Sequence, residues 1–284
     1  MPLFALTLAC SDTTPANLSL AKAPDFLFSG DSYKANGRVV NKSGESLSEH
    51  PVDYSLTPTG IAEVSGAGVV TCSATGDATL LATGGGQVKQ AGVRCRLIDR
   101  VELDSTFGTF TVEVGTPVAM GIKVMSTTDT EITDVPIKTK LADSSLAKVQ
   151  GGDLVGLSAG ATKMEISAGN IGGEVEVIVK EWVTVRVRMD SSKSSGASWD
   201  MPMFGVAAPE PFVIVDGRSF RSEGGGNYCR DDYTCSVKFL TQNPTGPYEV
   251  EVWDEDDSDH DYAGVTMCSR GETCRTNNAE VTIE

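Results

Sequence analysis

The feature that most constrains this chain is a pattern of short strands that occurs twice, about 85 residues apart. The first copy contains Ile61–Val64 followed by Gly68–Val70, and the second contains Leu146–Val149 followed by Leu154–Val155. Each copy continues into a small-residue segment that begins with Ser-Ala and leads into another strand. A repeat of this length, made of short strands and turns, predicts tandem domains rather than a solenoid.

Apolar residues alternate with polar residues in short runs along most of the chain, whereas apolar residues at helical spacing are rare. Val183–Met189 alternates strictly, and Gly, Pro, Asn and Asp interrupt the other runs. Alternation with a period of two is typical of half-buried antiparallel strands. Since 40% of the 284 residues are hydrophobic, two or three domains can each have a core. The sequence therefore predicts an all-β protein.

The formal net charge of −16 argues against nucleic acid and anionic lipid surfaces as partners, because both require clustered Lys and Arg. The excess of acidic residues favours cations as ligands. A solvated acidic surface without a specific partner is the more common reason for such a net charge. No segment approaches the roughly 20 apolar residues of a membrane-spanning helix. Any membrane attachment is therefore expected to use a lipid anchor.

The repeated motif resembles the bacterial Ig-like group 2 family. This resemblance implies two β-sandwiches in tandem, of the kind that serve as stalks or adhesion units in surface proteins. Val64, Val70, Leu80 and Ala82 are then expected to point into the first core. Gly68 and Gly76 are expected at positive φ, and Cys72 and Cys95 would join strands of the first sandwich.

Six of the seven cysteines lie in near pairs, without the Cys-x-x-Cys spacing of zinc or thioredoxin-type sites. Only two His are present to complete a metal site. The pairs are interpreted as disulfides formed in an oxidising compartment, although the spacing leaves their connectivity open. The paired cysteines are Cys72 with Cys95, Cys229 with Cys235, and Cys268 with Cys274.

The seventh cysteine follows a short apolar segment at the N-terminus. Leu3–Ala9 leads into Cys10 and Ser11, and this order resembles a bacterial lipobox, although Thr7 and the lack of a preceding Lys or Arg depart from it. The resemblance implies that Cys10 is lipidated and that the residues from Thr13 onward are a tether. The alternative is a cytosolic N-terminus with an ordinary buried cysteine.

The sequence changes character at about Trp182. Val252–Asp256, together with Asp261 and Gly264, resembles one loop element of C2 domains. Pro209–Val213 resembles the other loop element, with Glu210 in place of Asp and Phe212 in place of Tyr. The resemblance implies an eight-stranded sandwich with acidic loops at one end. These loops would bind calcium through five ligands, which are Asp200, Glu210, Asp254, Asp256 and Asp261.

The chemistry of this acidic segment supports calcium independently. Calcium takes about six to eight oxygen ligands, many of them from carboxylates. Asp254 and Asp256 face the same side of an extended segment, and crowded carboxylates raise one another's pKa unless a cation is present. The alternative is an acidic, solvated loop. The resemblance implies that the C2-like domain docks on phospholipid through these loops. A role in binding a protein is an equally strong expectation.

Residues 1–20 are accordingly assigned to the signal remnant and tether, 21–98 and 99–181 to two Ig-like domains, and 182–284 to the C2-like domain. This organisation predicts a non-catalytic envelope lipoprotein at the bacterial outer membrane or cell surface, otherwise periplasmic or secreted. Its head would bind an envelope protein, a polysaccharide or a lipid. The alternatives are a calcium-dependent phospholipid-binding protein and a purely structural subunit of an envelope assembly.

One motif points to an enzyme and is rejected on context. Gly156–Gly160 fits the Gly-x-Ser-x-Gly turn of serine hydrolases, but it lies inside the repeat, where no strand-to-helix turn is expected. The only histidine downstream of Ser158 is His260, in another module. Trp182, Trp199 and Trp253 are expected in the core, with exposure beside the metal as the alternative for Trp199.

Overall fold

A computed structural model describes residues 12–103, 108–199, 209, 211–220, 228–230, 233–254 and 260–284, with the backbone alone at 228–230. Every regular element longer than a single turn in these ranges is a β-strand, which confirms the all-β prediction. These ranges also contain no helix with the length and apolar character needed to cross a membrane.

The described part of the first module contains nine strands. It comprises β1 (Asn17–Ser19), β2 (Leu27–Phe28), β3 (Ser32–Lys34), β4 (Arg38–Val40), β5 (Asp53–Thr57), β6 (Ala62–Val64), β7 (Val69–Cys72), β8 (Gly76–Gly84) and β9 (Gln87–Arg96). One sheet has the order β2-β9-β8-β5, a second has the order β3-β7-β6, and β1 pairs with β4. β2 is parallel to β9, whereas the other pairs are antiparallel.

The core of this module lies between the two larger sheets. Leu80 and Val93 from one sheet and Val70 from the other are at most 2% exposed. The inward orientation predicted for Val70, Leu80 and Ala82 is confirmed, and Val64 is half-buried. Gly68 has a φ of 74°, as predicted, and the Cβ of any other residue there would lie 2.7 Å from the Tyr54 ring.

The next strands belong to the second copy of the repeat. They are β10 (Ile98–Glu102), β11 (Thr109–Glu113), β12 (Pro117–Ala119), β13 (Lys123–Ser126), β14 (Ile137–Leu141), β15 (Ala147–Gln150), β16 (Asp153–Gly156), β17 (Gly160–Ala168) and β18 (Ile171–Met189). β10 pairs with β13, and β12-β16-β15 form a three-stranded sheet. β11 runs parallel to the first half of β18, from the Thr109–Glu176 pair to the Glu113–Lys180 pair.

The two copies share a local backbone arrangement. The carbonyl of Ile61 accepts hydrogen bonds from the amides of Ser73 and Ala74, at 2.9 and 3.0 Å. The carbonyl of Leu146 accepts the same two bonds from Leu157 and Ser158, at 2.8 and 3.2 Å. In each copy the next strand then starts at a glycine with φ near 150°, which is 155° at Gly76 and 150° at Gly160. The repeat read from the sequence is therefore a structural repeat.

The C-terminal module adds the strands β19 (Pro211–Val215), β20 (Arg218–Phe220), β21 (Tyr228–Arg230), β22 (Thr234–Thr241), β23 (Tyr248–Asp254), β24 (Asp261–Cys268), β25 (Thr273–Arg275) and β26 (Ala279–Ile283). One sheet has the order β20-β19-β23-β24. In the other, the second half of β18 pairs with β22 and β26, which extend to β21 and β25.

The two sheets of the C-terminal module enclose a single core. Val185 and Val187 of β18 pack in this core with Val250 and Val252 of β23, and all four are at most 3% exposed. The strict alternation predicted for Val183–Met189 is confirmed, because its odd-numbered residues are buried and its even-numbered residues are not. This arrangement is a β-sandwich.

The position of the three tryptophans corrects one prediction. Trp199 is 4% exposed, as expected of a core residue, and Trp253 is half-buried. Trp182 is 48% exposed, so its assignment to the core was wrong. The physical reason is strand parity, because Trp182 precedes the buried Val183 on the same extended strand and points to the opposite side.

By its internal contacts the chain forms two compact units, one of residues 12–103, 121–139 and 165–174, the other of residues 108–120, 140–164 and the described residues from 175 onward. The predicted domain limits of 98 and 181 stay predictions; β18 continues without a break from Ile171 to Met189. Residues 17–19, assigned to the tether, instead form β1, because Leu18 is buried there and β1 pairs with β4.

Candidate functional site

The acidic end of the C-terminal module is the site predicted from sequence. Asp254 ends β23 and Asp261 begins β24, and the two residues lie directly opposite each other in the antiparallel register. Opposed residues of such a pair point to the same side of the sheet. The register therefore brings two of the proposed ligands side by side, and Asp254 is only 1% exposed.

A lysine already neutralises one of these two carboxylates. The ammonium group of Lys193 forms a salt bridge with Asp261 and lies 5.4 Å from the centre of the Trp199 ring. Trp199 is held in turn by a 2.8 Å hydrogen bond from its indole N–H to the carbonyl of Asp190. Lys193 therefore provides a positive charge beside Asp261, and no sequence motif indicated this pairing.

The other three proposed ligands, Asp200, Glu210 and Asp256, lie outside the described residues. Asp254 and Asp261 provide carboxylate oxygens of the kind that calcium prefers, so the two described members fit such an ion in chemistry. Calcium binding stays a prediction, and the same holds for lipidation at Cys10, which also lies outside the described residues.

Two of the three predicted cysteine pairs are disulfides. Cys72 of β7 is bonded to Cys95 of β9 and thereby joins the two sheets of the first module. Cys268 is bonded to Cys274 across six positions of sequence. Cys235 is also disulfide-bonded, and its backbone pairs with that of Cys229, whose side chain is not described.

One group of metal-ligating residue types occurs among the described residues, and its chemistry argues against a metal. The ligand atoms of Cys268, Glu272 and Cys274 lie within 4.8 Å of one another. Both sulfur atoms are consumed by the disulfide, so neither is a thiolate, which is the form that binds metals. This group is therefore a structural staple.

The structure places Ser158 in an exposed bend between the strands β16 and β17. Its amide bonds to the carbonyl of Leu146 at 3.2 Å, as the amide of Ala74 bonds to Ile61 in the first copy. The equivalent residue in the first copy, Ala74, has no hydroxyl, so the turn does not depend on a serine side chain. Ser158 therefore occupies a structural turn of the repeat. The geometry lacks the strand-to-helix turn that a serine nucleophile requires.

No protein-family model matches the chain, and no curated protein is similar to it. Among solved structures, domains 4 and 5 of the S-layer protein SbsC are 16% identical with a TM-score of 0.27, covering 58% of this chain and 98% of that one. A titin I-band fragment is 12% identical with a TM-score of 0.31, covering 88% and 95%. The EC1-2 fragment of human protocadherin-24 is 12% identical with a TM-score of 0.24, covering 58% and 98%. Similarity at this level establishes no function.

A second cluster, around Arg96 at the end of β9, was missed by the sequence analysis. The guanidinium is buried and binds Asp134 through two nitrogens, with Nε 2.8 Å from Oδ1. Its Nη1 donates to the carboxylate of Asp77 at 2.8 Å and to the carbonyls of Gly76 and Cys95 at 3.1 and 2.8 Å. These bonds join the first module to the segment that follows β13.

The electrostatics of this cluster follow from the charged hydrogen bonds. Hydrogen bonds from Arg96 lower the pKa of Asp134 from 3.8 to about 2, and a further bond from Arg94 acts in the same direction. The Arg94 guanidinium also lies 4.4 Å from the centre of the Phe26 ring. The only sequence signal was a pair of arginines flanking Cys95 at the end of a predicted strand, which does not identify an acidic partner 38 residues away.

Proposed function

We propose that the chain is a non-catalytic protein of the bacterial cell envelope, in which Ig-like modules form a stalk for a C2-like head that binds a partner. The Cys72–Cys95 disulfide carries the proposal, because it joins two sheets inside a buried core and such bonds persist in oxidising compartments. Lipidation at Cys10 would attach the stalk to the membrane.

The Arg96 cluster supports the role of a stalk. A stalk needs junctions that resist bending, and a buried bidentate pair fixes orientation better than an exposed ion pair. Gly169, between β17 and β18, packs closely against Phe28 at the same junction. Only glycine allows this approach, because a Cβ there would lie 2.6 Å from the Phe28 ring. Asn170 donates a 2.9 Å hydrogen bond to the carbonyl of Ser29.

The anchor is tested by mass spectrometry of the N-terminal peptide, taken from envelope fractions of cells that produce the protein. The proposal expects an acylated Cys10 at the N-terminus of the mature chain. A free thiol at Cys10 within a longer peptide would rule out the anchor. The disulfides of the same sample provide an internal control for export, since they form only in an oxidising compartment.

Calcium at the acidic end is tested by thermal unfolding of the whole chain with millimolar calcium and with chelator. Extracellular sites bind calcium at about 10⁻⁴ to 10⁻³ M, and an ion at a hundredfold excess over Kd stabilises by about 2.7 kcal/mol. The proposal expects a calcium-dependent rise in Tm that is lost in the Asp254→Asn, Asp261→Asn double variant. Glu63→Gln, an exposed carboxylate of β6, is the matched control.

A second candidate is a purely structural subunit of an envelope assembly, and the Lys193–Asp261 salt bridge favours it. In this case the lysine, rather than calcium, neutralises Asp261. The same unfolding experiment separates the two, because the structural candidate expects no calcium-dependent shift in the wild type. Lys193→Met would then lower Tm equally with calcium and with chelator.

A further inference from the structure

The outward side of the β20-β19-β23-β24 sheet, which we call the outer face, carries an ordered grid of side chains. In the antiparallel register of β23 and β24, Glu249 lies opposite Met267, Glu251 opposite Val265, and Trp253 opposite Tyr262. The residues between them on β23, Val250 and Val252, are 0% exposed and point into the core. Because side chains alternate along a strand, the three opposed pairs point away from the core.

The outer face is unusually apolar for a solvent-exposed surface. Tyr262, Val265 and Met267 are 48%, 47% and 54% exposed, and all three lie on the single strand β24. Scattered exposed apolar residues are ordinary, whereas a contiguous group indicates a surface that a partner covers. The other large exposed apolar side chains among the described residues lie at separate places in the chain, which are Val88, Ile137, Leu157 and Trp182.

A row of aromatic rings crosses this face. The buried Phe212 of β19, which is 4% exposed, stacks on the half-buried Trp253 with 6.2 Å between ring centres and 14° between planes, and Trp253 is 4.7 Å from the exposed Tyr262. His260 packs edge-on against Phe212 at 5.4 Å. Rings held against one another lose little freedom when a partner binds, and aromatic residues are enriched in the centres of protein interfaces.

The charges on the outer face are negative. Glu249 and Glu251 have no Lys, Arg or His within salt-bridge distance among the described residues, and Glu251 accepts only a 3.2 Å hydrogen bond from the Trp253 indole. A ligand that covers this face must therefore neutralise two carboxylates, because buried charges without partners are costly.

We propose that the outer face binds a protein segment in which Lys or Arg residues are interleaved with apolar residues. Glu249 and Glu251 are two positions apart on a strand, so their side chains are about 7 Å apart along it. Basic residues two positions apart on an extended partner match this spacing. The inference rests on the proposed function in that it takes the C-terminal module as the binding head, and it specifies the surface and the class of partner.

The same charges disfavour the other ligand classes. A second copy of this acidic chain and an anionic lipid surface would both be repelled by Glu249 and Glu251. A neutral polysaccharide would stack on the rings but would leave both carboxylates without a counter-charge. A basic protein segment alone matches both the apolar residues and the charges of this face.

The test measures binding of fluorescent ten-residue peptides to the whole chain by anisotropy. The peptides carry two Lys residues placed one, two or three positions apart among Leu, Tyr and Ser, and a control peptide has Glu in place of Lys. The proposal expects tightest binding at a spacing of two, weakening as salt rises from about 20 to about 200 mM. Chitohexaose and phosphatidylglycerol vesicles are the probes for the polysaccharide and lipid alternatives.

Two double variants locate the binding surface. Val265→Ser with Met267→Ser, and Glu249→Gln with Glu251→Gln, are each expected to weaken binding by about tenfold or more. All four side chains are on the outer face rather than in the core, so unchanged Tm and circular dichroism verify the fold of the variants. Val88→Ser, at a residue of the first module that is 62% exposed, is the matched control and should leave affinity unchanged.

Several results would overturn the proposal: no binding of any Lys peptide, equal binding of the Glu peptide, or affinity unchanged in both double variants. Preferential binding of chitohexaose or of vesicles would also overturn it. None of these results affects the proposed function, whose tests concern the acylation of Cys10 and the calcium response of Asp254 and Asp261. Failure of those tests would in turn leave peptide binding at the outer face intact.

Discussion

Arg96 and Asp134 form a bidentate ion pair in which the guanidinium side chain is 9% exposed and the carboxylate side chain is 34% exposed. The two residues therefore depend on the pair to different degrees. Asp134 can be solvated if its partner is lost, whereas Arg96 cannot. The positive charge beside the Cys72–Cys95 disulfide is thus secured mainly by Asp134, with Asp77 as a more exposed second partner.

Removing the two acidic partners of Arg96 should have unequal consequences. Asp134→Ala leaves a buried guanidinium without its bidentate partner and is expected to lower the free energy of unfolding by about 2 to 4 kcal/mol. Asp77→Ala removes one bond to a carboxylate that is 65% exposed and should cost less than about 1 kcal/mol. Urea unfolding of both variants measures the difference. Equal losses of unfolding free energy would show that Arg96 does not depend on Asp134 more than on Asp77.

The same pair predicts a specific acid sensitivity. Arg96 lowers the pKa of Asp134 to about 2 in the folded chain from an ordinary 3.8, so the folded state favours the ionised carboxylate. The resulting stabilisation is complete above about pH 4 and is lost as the pH falls from about 4 to about 2. The stability gap between wild type and Asp134→Asn should therefore be constant above pH 5 and shrink below pH 4. A gap that stays constant down to pH 2 would contradict this assignment.

Features that repeat along the chain could be predicted from the sequence. The duplicated motif, the parity of Val183–Met189 and the near-paired cysteines each depend on local spacing, which survives unchanged in the fold. The Arg96–Asp134 and Lys193–Asp261 pairs could not be predicted in this way. Their partners are 38 and 68 residues apart in sequence, and only the packing of the strands brings them together.

The candidate site was predicted only in part for the same reason. Asp254 and Asp261 were proposed as ligands from the resemblance to C2 domains, and the register of β23 and β24 places them opposite each other. The outer face was not predicted, because Trp253 was assigned to the core and no motif included Val265 or Met267. A β-bulge in the pairing near Val252 and Trp253 places Tyr262 on the same side of the sheet as Val265 and Met267, and strand periodicity does not reveal it.

The two fully described disulfides should differ in their contribution to stability. Cys72–Cys95 closes a loop of 23 positions and Cys268–Cys274 a loop of six, which correspond to about 3 and about 2 kcal/mol of lost chain entropy in the unfolded state. Replacing each pair by Ala should thus destabilise the first more than the second, as measured by urea unfolding. The reverse order would indicate that local packing, rather than loop closure, sets the contribution.

Strand parity makes the last prediction, which concerns two tryptophans. Trp199 is 4% exposed, donates a hydrogen bond to the Asp190 carbonyl and packs in the core of the C-terminal module. Trp199→Ala should therefore cost about 3 to 5 kcal/mol. Trp182 is 48% exposed and donates a 3.2 Å hydrogen bond to the half-buried Glu113 carboxylate, so Trp182→Ala should change stability by no more than about 0.5 kcal/mol.

A comparison of Trp182→Ala with Val183→Ala tests the alternation of side chains along β18. Val183 lies next to Trp182 on β18 and is 0% exposed, so Val183→Ala should behave like a core truncation although its side chain is much smaller than that of Trp182. Urea unfolding monitored by circular dichroism avoids the loss of the fluorescent probe. If Trp182→Ala proved more destabilising than Val183→Ala, the outward orientation of Trp182 would be wrong, and with it the register of β18 against β22.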